Sequence, residues 1–214
     1  MEEDISIINS NTRNEKVRNF FINNKNKIIL TIITLIILLV GAYSFDKYKT
    51  NKKKEISDKF NSTILAHSEN TKENTIKSLV EIIKEQDSTY SPLSLYFIID
   101  NKLLSNPNEI NNFFDILIEK TILDKEIKNL IIYKKALFNA DQVNEGELLN
   151  ILNPLINSQS VWKSHSLYLI AEYFYSNEQK QKAKEFFNQI MSMENANSEI
   201  RLQSEKRLNR DLSE

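Results

Sequence analysis

The feature that most constrains this chain is an apolar run, Ile28–Phe45, eighteen residues long and without a charge. Only Thr31, Thr34, Gly41, Tyr43 and Ser44 interrupt its aliphatic and aromatic side chains. As a helix it rises about 27 Å, close to the thickness of a bilayer's hydrocarbon core. Lys25 and Lys27 stand before it and Lys47 and Lys49 after it, placed to reach the headgroups. The run is expected to be a transmembrane helix. The core helix of a globular domain is the competing reading, set aside because the apolar character continues on every face.

A cleavable signal peptide is the other alternative, with Val40 and Ala42 as the small residues of a cleavage site. Against it stand a 27-residue leader, long for a signal, and the acidic cluster Glu2–Asp4. The sequence therefore favours an uncleaved anchor. Its direction is not legible from charge. Five basic residues precede the run within about fifteen positions and six follow it, so the positive-inside rule does not choose between the two orientations.

The chain beyond Phe45 is long enough for one ordinary domain with a real core. With only two glycines and three prolines in the whole sequence, helices joined by short polar loops are expected rather than strands and turns. From residue 61 onward there are 17 basic and 22 acidic residues, a balance that argues against a nucleic-acid surface. Cysteine is absent, which removes disulfides, thiol catalysis, zinc–thiolate sites and a lipoprotein anchor together.

Before the run, Thr12 and Glu15 have capping-box spacing, and Val17, Phe20 and Phe21 recur on one face of a short amphipathic helix. After it, Ile56, Phe60 and Ile64 repeat every four residues with no breaker before about His67, so the helix is expected to continue as a lysine-rich neck. Asn70 with Glu73 marks the next start, ahead of Ile76, Leu79, Val80 and Ile83. Ser91–Pro92 and Asn106–Pro107 read as an N-cap followed by proline at the first helical position. The segment from Leu93 to Leu104 is apolar almost all round, as in a buried central helix. Asp124 is the expected cap of a helix carrying Ile127, Leu130, Ile131 and Phe138. Asn144–Gly146 turns into Leu148, Ile151, Leu152 and Leu155, where Pro154 should kink or end the helix. Ser176 and Gln179 are placed to box the last turn, and Ile200–Leu212 reads as a closing cap.

Helical hairpins thus start near 91, 124 and 161, and spacings of 33 and 37 residues are the period of a helix–turn–helix solenoid. Over Ser164–Asn197 the pattern resembles a tetratricopeptide repeat, met by Leu167, Ile170, Ala171, Phe174, Ala183 and Phe187. Leu167 replaces the usual first aromatic, and Asn195 stands where the terminal proline would be. The two alanines are expected to let the paired helices approach closely. The expected fold class is all-α: one N-terminal transmembrane helix followed by a tetratricopeptide-like helical-hairpin solenoid. Its parts are a polar leader (1–27), the anchor (28–45), a charged neck (46–67) and the repeat domain (68–214).

The layout resembles the YfgM-like ancillary SecYEG translocon subunits. The likeness rests on Asn14–Asn23, the anchor, Leu152–Leu155, Trp162 and the repeat through Ile190, and Arg201–Leu212. It implies a bacterial inner-membrane protein, N-terminus cytoplasmic and repeats periplasmic, beside the SecYEG translocon and a periplasmic chaperone, with no enzymatic activity. A generic cell-envelope assembly adaptor is the alternative within the same class, and a membrane-anchored hydrolase the alternative outside it.

Candidate chemistry is sparse. His67 and His165 lie about a hundred residues apart, and Asp100 sits inside an apolar run, where a helix edge is a better account than a buried functional carboxylate. Two glycines, Gly41 and Gly146, cannot build a phosphate loop. No catalytic residue, metal, cofactor or small-molecule substrate is expected. Lipid should meet residues 28–45. The aromatic cluster Trp162, Tyr168, Tyr173, Phe174 and Tyr175 reads first as repeat core, and protein partners should meet its exposed members, Tyr168 and Tyr173 first and Trp162 with them.

Overall fold

A computed structural model describes residues 14–213, and every regular element among them is helical. Thr12 and Arg13 of the expected capping box, and Glu2–Asp4, lie outside the described residues. Residues 14–23 form α1. The helices that follow are α2 (Lys25–Leu65), α3 (Lys72–Lys84), α4 (Tyr90–Asp100), α5 (Pro107–Asp115), α6 (Lys125–Asn139), α7 (Glu145–Ile156), α8 (Lys163–Ser176), α9 (Lys180–Ser192) and α10 (Ser198–Arg210). A short 3₁₀ turn, Glu69–Thr71, precedes α3, and a π-helical turn, Ile116–Lys120, follows α5. The chain divides into two compact units, Met1–Glu55 and Ile56–Glu214.

In the first unit α2 contains the apolar run, and it is long and apolar enough to cross a membrane. No residue of its most apolar window is buried, which distinguishes it from a core helix. The hydroxyls of Thr31 and Thr34 donate to the carbonyls of Lys27 and Leu30 at 2.9 Å each. Those bonds leave no side-chain donor of the run's first half without a partner. The helix passes Val40 and Ala42 without a break and runs on into the neck, as the missing breaker implied.

The second unit begins inside α2, because Ile56 and Phe60 are buried. Its apolar side chains form two clusters. The first gathers α3, α4, α5 and the π-helical turn around Leu79, Leu95, Phe114 and Leu117. The second gathers α7, α8 and α9 around Leu148, Leu152, Ile170, Phe174 and Phe187. Helix α6 stands between them, giving Ile131 to the first cluster and Ile132 and Ala136 to the second. Helices adjacent in sequence pack together, most extensively α8 with α9, then α3 with α4, then α6 with α7 and α9 with α10.

That pairing corrects one expectation. The helix beginning near 91 finds its main partner in α3, not in α5. Its start also differs. α4 begins at Tyr90, and the cap is the Asp87 carboxylate, which accepts from the backbone N–H groups of Thr89 at 2.9 Å and Tyr90 at 2.7 Å. Ser91 is instead fully buried, its hydroxyl donating to the Ile82 carbonyl at 2.7 Å and tying α4 to α3. The segment from Leu93 is not buried all round, since Leu93 is 42% exposed and the helix stops at Asp100.

Other starts follow the sequence more closely. Asn106 accepts from Asn108 N–H with Pro107 next to it, and Asn144 accepts from Glu147 N–H. Asp124 holds the cap position of α6 without a side-chain bond. The box expected of Asn70 and Glu73 is made two residues earlier, by Ser68 and Thr71 at the 3₁₀ turn. Pro154 lies inside α7, which ends two residues later, so it closes the helix rather than breaking it.

Three helix ends carry a residue in the left-handed region: Gln86, Lys102 and Glu178, with φ of 56°, 50° and 61°. After α4, Lys102 N–H bonds the Ile99 carbonyl and Leu103 N–H the Ile98 carbonyl; after α8, Glu178 and Gln179 bond Tyr175 and Phe174 in the same way. These are Schellman closures in which glycine is the usual residue. The α8–α9 turn is therefore made by Glu178. The expected Ser176–Gln179 box is absent, and the Ser176 hydroxyl donates to the Tyr173 carbonyl.

Candidate functional site

The aromatic residues of the last helix pair are positioned by α8 and by what packs on it. The side chains that match the expected repeat pattern face inward: Ala171, Ala183 and Phe187 are 0% exposed, and Leu167, Ile170 and Phe174 are buried with them. Alanine at 171 and 183 leaves room for the most extensive helix–helix contact in the domain. Phe174 stacks on Phe186 at 5.5 Å with Lys182 over its ring.

Trp162, Tyr168 and Tyr173 are each half-buried rather than exposed, and they meet different neighbours. Trp162, at the cap position of α8, stacks on Tyr133 of α6 with ring centroids 5.7 Å apart and lies 5.1 Å from His165. Tyr168 packs edge-on against Phe187 at 5.6 Å. Tyr173 sends its hydroxyl to the Val143 carbonyl at 3.3 Å, across the α6–α7 connection. Tyr173 lies eleven residues, close to three turns, beyond Trp162 and so on the same side of the helix; Tyr168 falls well around from both. One groove does not collect all three.

The charged partners of this region were not legible in the sequence. Arg207 of α10 donates from Nε and Nη2 to both carboxylate oxygens of Glu172, at 2.7 and 2.6 Å, and from Nη1 to Asp211 at 2.9 Å. Its guanidinium also lies 4.8 Å over the Tyr175 ring. The bidentate fork docks α10 on α8 with fixed geometry. Arg210 and then Arg207 hold the Asp211 carboxyl well below the usual carboxylate range. Burial, then the Glu172 carboxylate, raises the Tyr168 phenol. Arg201 reaches the carbonyls of Met193 and Glu194 and so closes the end of α9.

A second polar connection precedes α8. Glu126 of α6 accepts from the Ser160 hydroxyl at 2.8 Å and from Val161 N–H at 3.2 Å, which fixes the approach of Trp162 to Tyr133. Farther back, Asn111 and Asn139 exchange amide hydrogen bonds of 2.9 and 2.8 Å between α5 and α6, and Asn139 is buried.

The candidate ionisable residues do not converge. His67 contacts Thr75 at 3.3 Å and Phe97, within the first cluster. His165 lies against Trp162 and Tyr133, beside the second cluster, and burial lowers its pKa. Asp100 is exposed at the end of α4, as a helix-edge residue would be. Among the described residues no group of three or more histidines and carboxylates could hold a metal ion. Comparison of the chain with protein-family models, with curated proteins and with solved structures finds no match.

Proposed function

We propose that this chain is a membrane-anchored helical-repeat scaffold that binds other proteins and does no chemistry of its own. The observation that carries the reading is the coexistence of two parts. One is a helix that is apolar on every face and unburied throughout its most apolar window. The other is a domain of sequentially paired helices, closed by α10 through the Arg207–Glu172 fork. An exposed span of that length finds its favourable solvent in lipid. Paired helices stacked in sequence order suit a tetratricopeptide-like solenoid, whose repeats leave a continuous surface for protein partners. A tether raises the effective concentration of such a surface at the membrane, so moderate contacts suffice for capture.

Within this reading, the family likeness of the sequence favours an ancillary subunit of the SecYEG translocon and the periplasmic chaperone network, with the repeats outside the cytoplasm of a bacterial cell. Trp162, Tyr168 and Tyr173 serve there as half-buried anchors at the edges of the partner surface. Crosslinking of the full-length protein in membranes, followed by identification of adducts, tests the proposal. Translocon subunits and periplasmic chaperones are the expected adducts, and their absence removes the translocon assignment. Protease treatment of spheroplasts reads the side: protection of the repeats contradicts a periplasmic domain.

A further inference from the structure

At the end of the apolar run and just past it, α2 presents Tyr43, Phe45 and Tyr48 together with Lys47, Lys49, Lys53 and Lys54. The three rings are 63–69% exposed, and all four lysines are exposed as well. We propose that this segment is a binding collar for anionic lipid headgroups. The inference rests on the reading of residues 28–45 as a membrane span and goes beyond it by naming the lipid class.

Distances along the helix set the argument. Lys47 and Lys49 lie two and four residues past Phe45, about 3 and 6 Å beyond the hydrocarbon edge. The headgroup layer on one side of a bilayer is roughly 5–8 Å deep. Lys53 and Lys54 lie about 12–14 Å out, within about one Debye length of that layer at physiological salt. Side chains on a helix lean toward its N-terminus, which here is back toward the bilayer. Lys49 shows the lean directly: its ammonium sits 5.9 Å from the centre of the Phe45 ring, one turn earlier. The same rule points Lys25 and Lys27, at the opposite end, away from the hydrocarbon.

The arrangement of the lysines excludes a helix lying flat on the surface. At about 100° per residue, Lys47 and Lys54 fall on one side of α2 while Lys49 and Lys53 fall on the other. A surface-bound amphipathic helix needs one apolar face and one basic face. A collar around an upright helix places ammonium groups among headgroups on both sides. Tyr43 and Tyr48 mark the depth, since such rings settle at the membrane–water boundary with the hydroxyl toward water. Asp46 and Glu55 flank the stretch from Lys47 to Lys54, which itself contains no acidic residue, so the segment keeps a positive balance.

The test uses the full-length protein reconstituted in phosphatidylcholine vesicles with trace spin-labelled phosphatidylglycerol or spin-labelled phosphatidylcholine. The motionally restricted fraction of each label reports lipid held against the protein. The expected result is a preference for phosphatidylglycerol of about fivefold per headgroup-level lysine site, lost in the Lys47→Gln/Lys49→Gln/Lys53→Gln/Lys54→Gln variant. Emission from Trp162, the single tryptophan, should be unchanged in that variant, which shows the domain intact. Equal restriction of the two labels in the wild type, or a preference that survives the fourfold substitution, overturns the inference. Carbonate extraction separates it from the anchor reading. A chain that resists extraction but shows no preference refutes the collar alone, whereas a chain released by carbonate refutes both.

Discussion

Substituting leucine for Ala183 tests whether the last helix pair is held by close approach. Ala183 is 0% exposed, and so is Ala171 on the facing helix. Leucine adds three carbon atoms, worth roughly 2 kcal/mol of favourable transfer if space existed to receive them, at about 0.8 kcal/mol per buried methylene. The α8–α9 interface offers no such space, because the flanking positions are filled by Phe174 and Phe187, both buried. The added atoms must then separate the helices or force strained rotamers, at about 1–3 kcal/mol. The sign of the effect therefore reports the packing. Urea denaturation of the full-length protein in detergent, followed by Trp162 emission, reads it cleanly, since Trp162 is the only tryptophan and packs against the second cluster. With a slope near 2 kcal/mol per molar urea, the midpoint should fall by about 0.5–1.5 M. Ala66→Leu, at an exposed position, should move it by less than about 0.3 M. A midpoint for Ala183→Leu that is unchanged or raised would refute the close-approach account of both alanines.

Glycine at Gln86, Lys102 or Glu178 should raise stability by about 0.5–1 kcal/mol each, because left-handed backbone costs an L-residue more than glycine's extra unfolded-state freedom; the same urea titration checks it. Asn139→Ala should cost about 1–3 kcal/mol by stranding Asn111, while converting both to leucine should cost markedly less, as thermal unfolding would show. Histidine NMR should find His165 titrating below its ordinary value. Its folded form binds fewer protons than the unfolded chain, so its effect is absent at neutral pH and stability is lost as pH falls from about 6.5. His165→Leu should flatten that part of the stability–pH profile. Ile36→Arg, at the middle of the apolar run, should cost about 2.5–3.5 kcal/mol in insertion and release the chain to carbonate extraction.

Several features of this molecule are local and so were readable from the residues alone. The apolar run declares itself because a charge-free helix of bilayer length has few other uses. Asn106–Pro107 and Asn144 declare helix starts because their side chains bond N–H groups two or three residues away. The inward faces of α8 and α9 follow from period, since Leu167, Ile170, Ala171 and Phe174 recur on one side at helical spacing. Helix ends were less legible for a chemical reason: with so few glycines, the chain closes helices on Gln86, Lys102 and Glu178, which carry no turn signature.

What the tertiary structure alone decided concerns pairs distant in sequence. Ser91 looked like a cap and became a buried donor, because α4 meets α3 and the Ile82 carbonyl needs a partner. Asp87 took the cap in its place. Trp162, Tyr168 and Tyr173 form a dense aromatic run in the sequence. Their neighbours (Tyr133, Phe187 and the Val143 carbonyl) come from three other segments and draw them to different places. The Arg207–Glu172 fork spans 35 positions, and no spacing rule connects an arginine to one carboxylate among many. Periodicity tells which face of a helix is apolar; only the packed chain determines which face meets which.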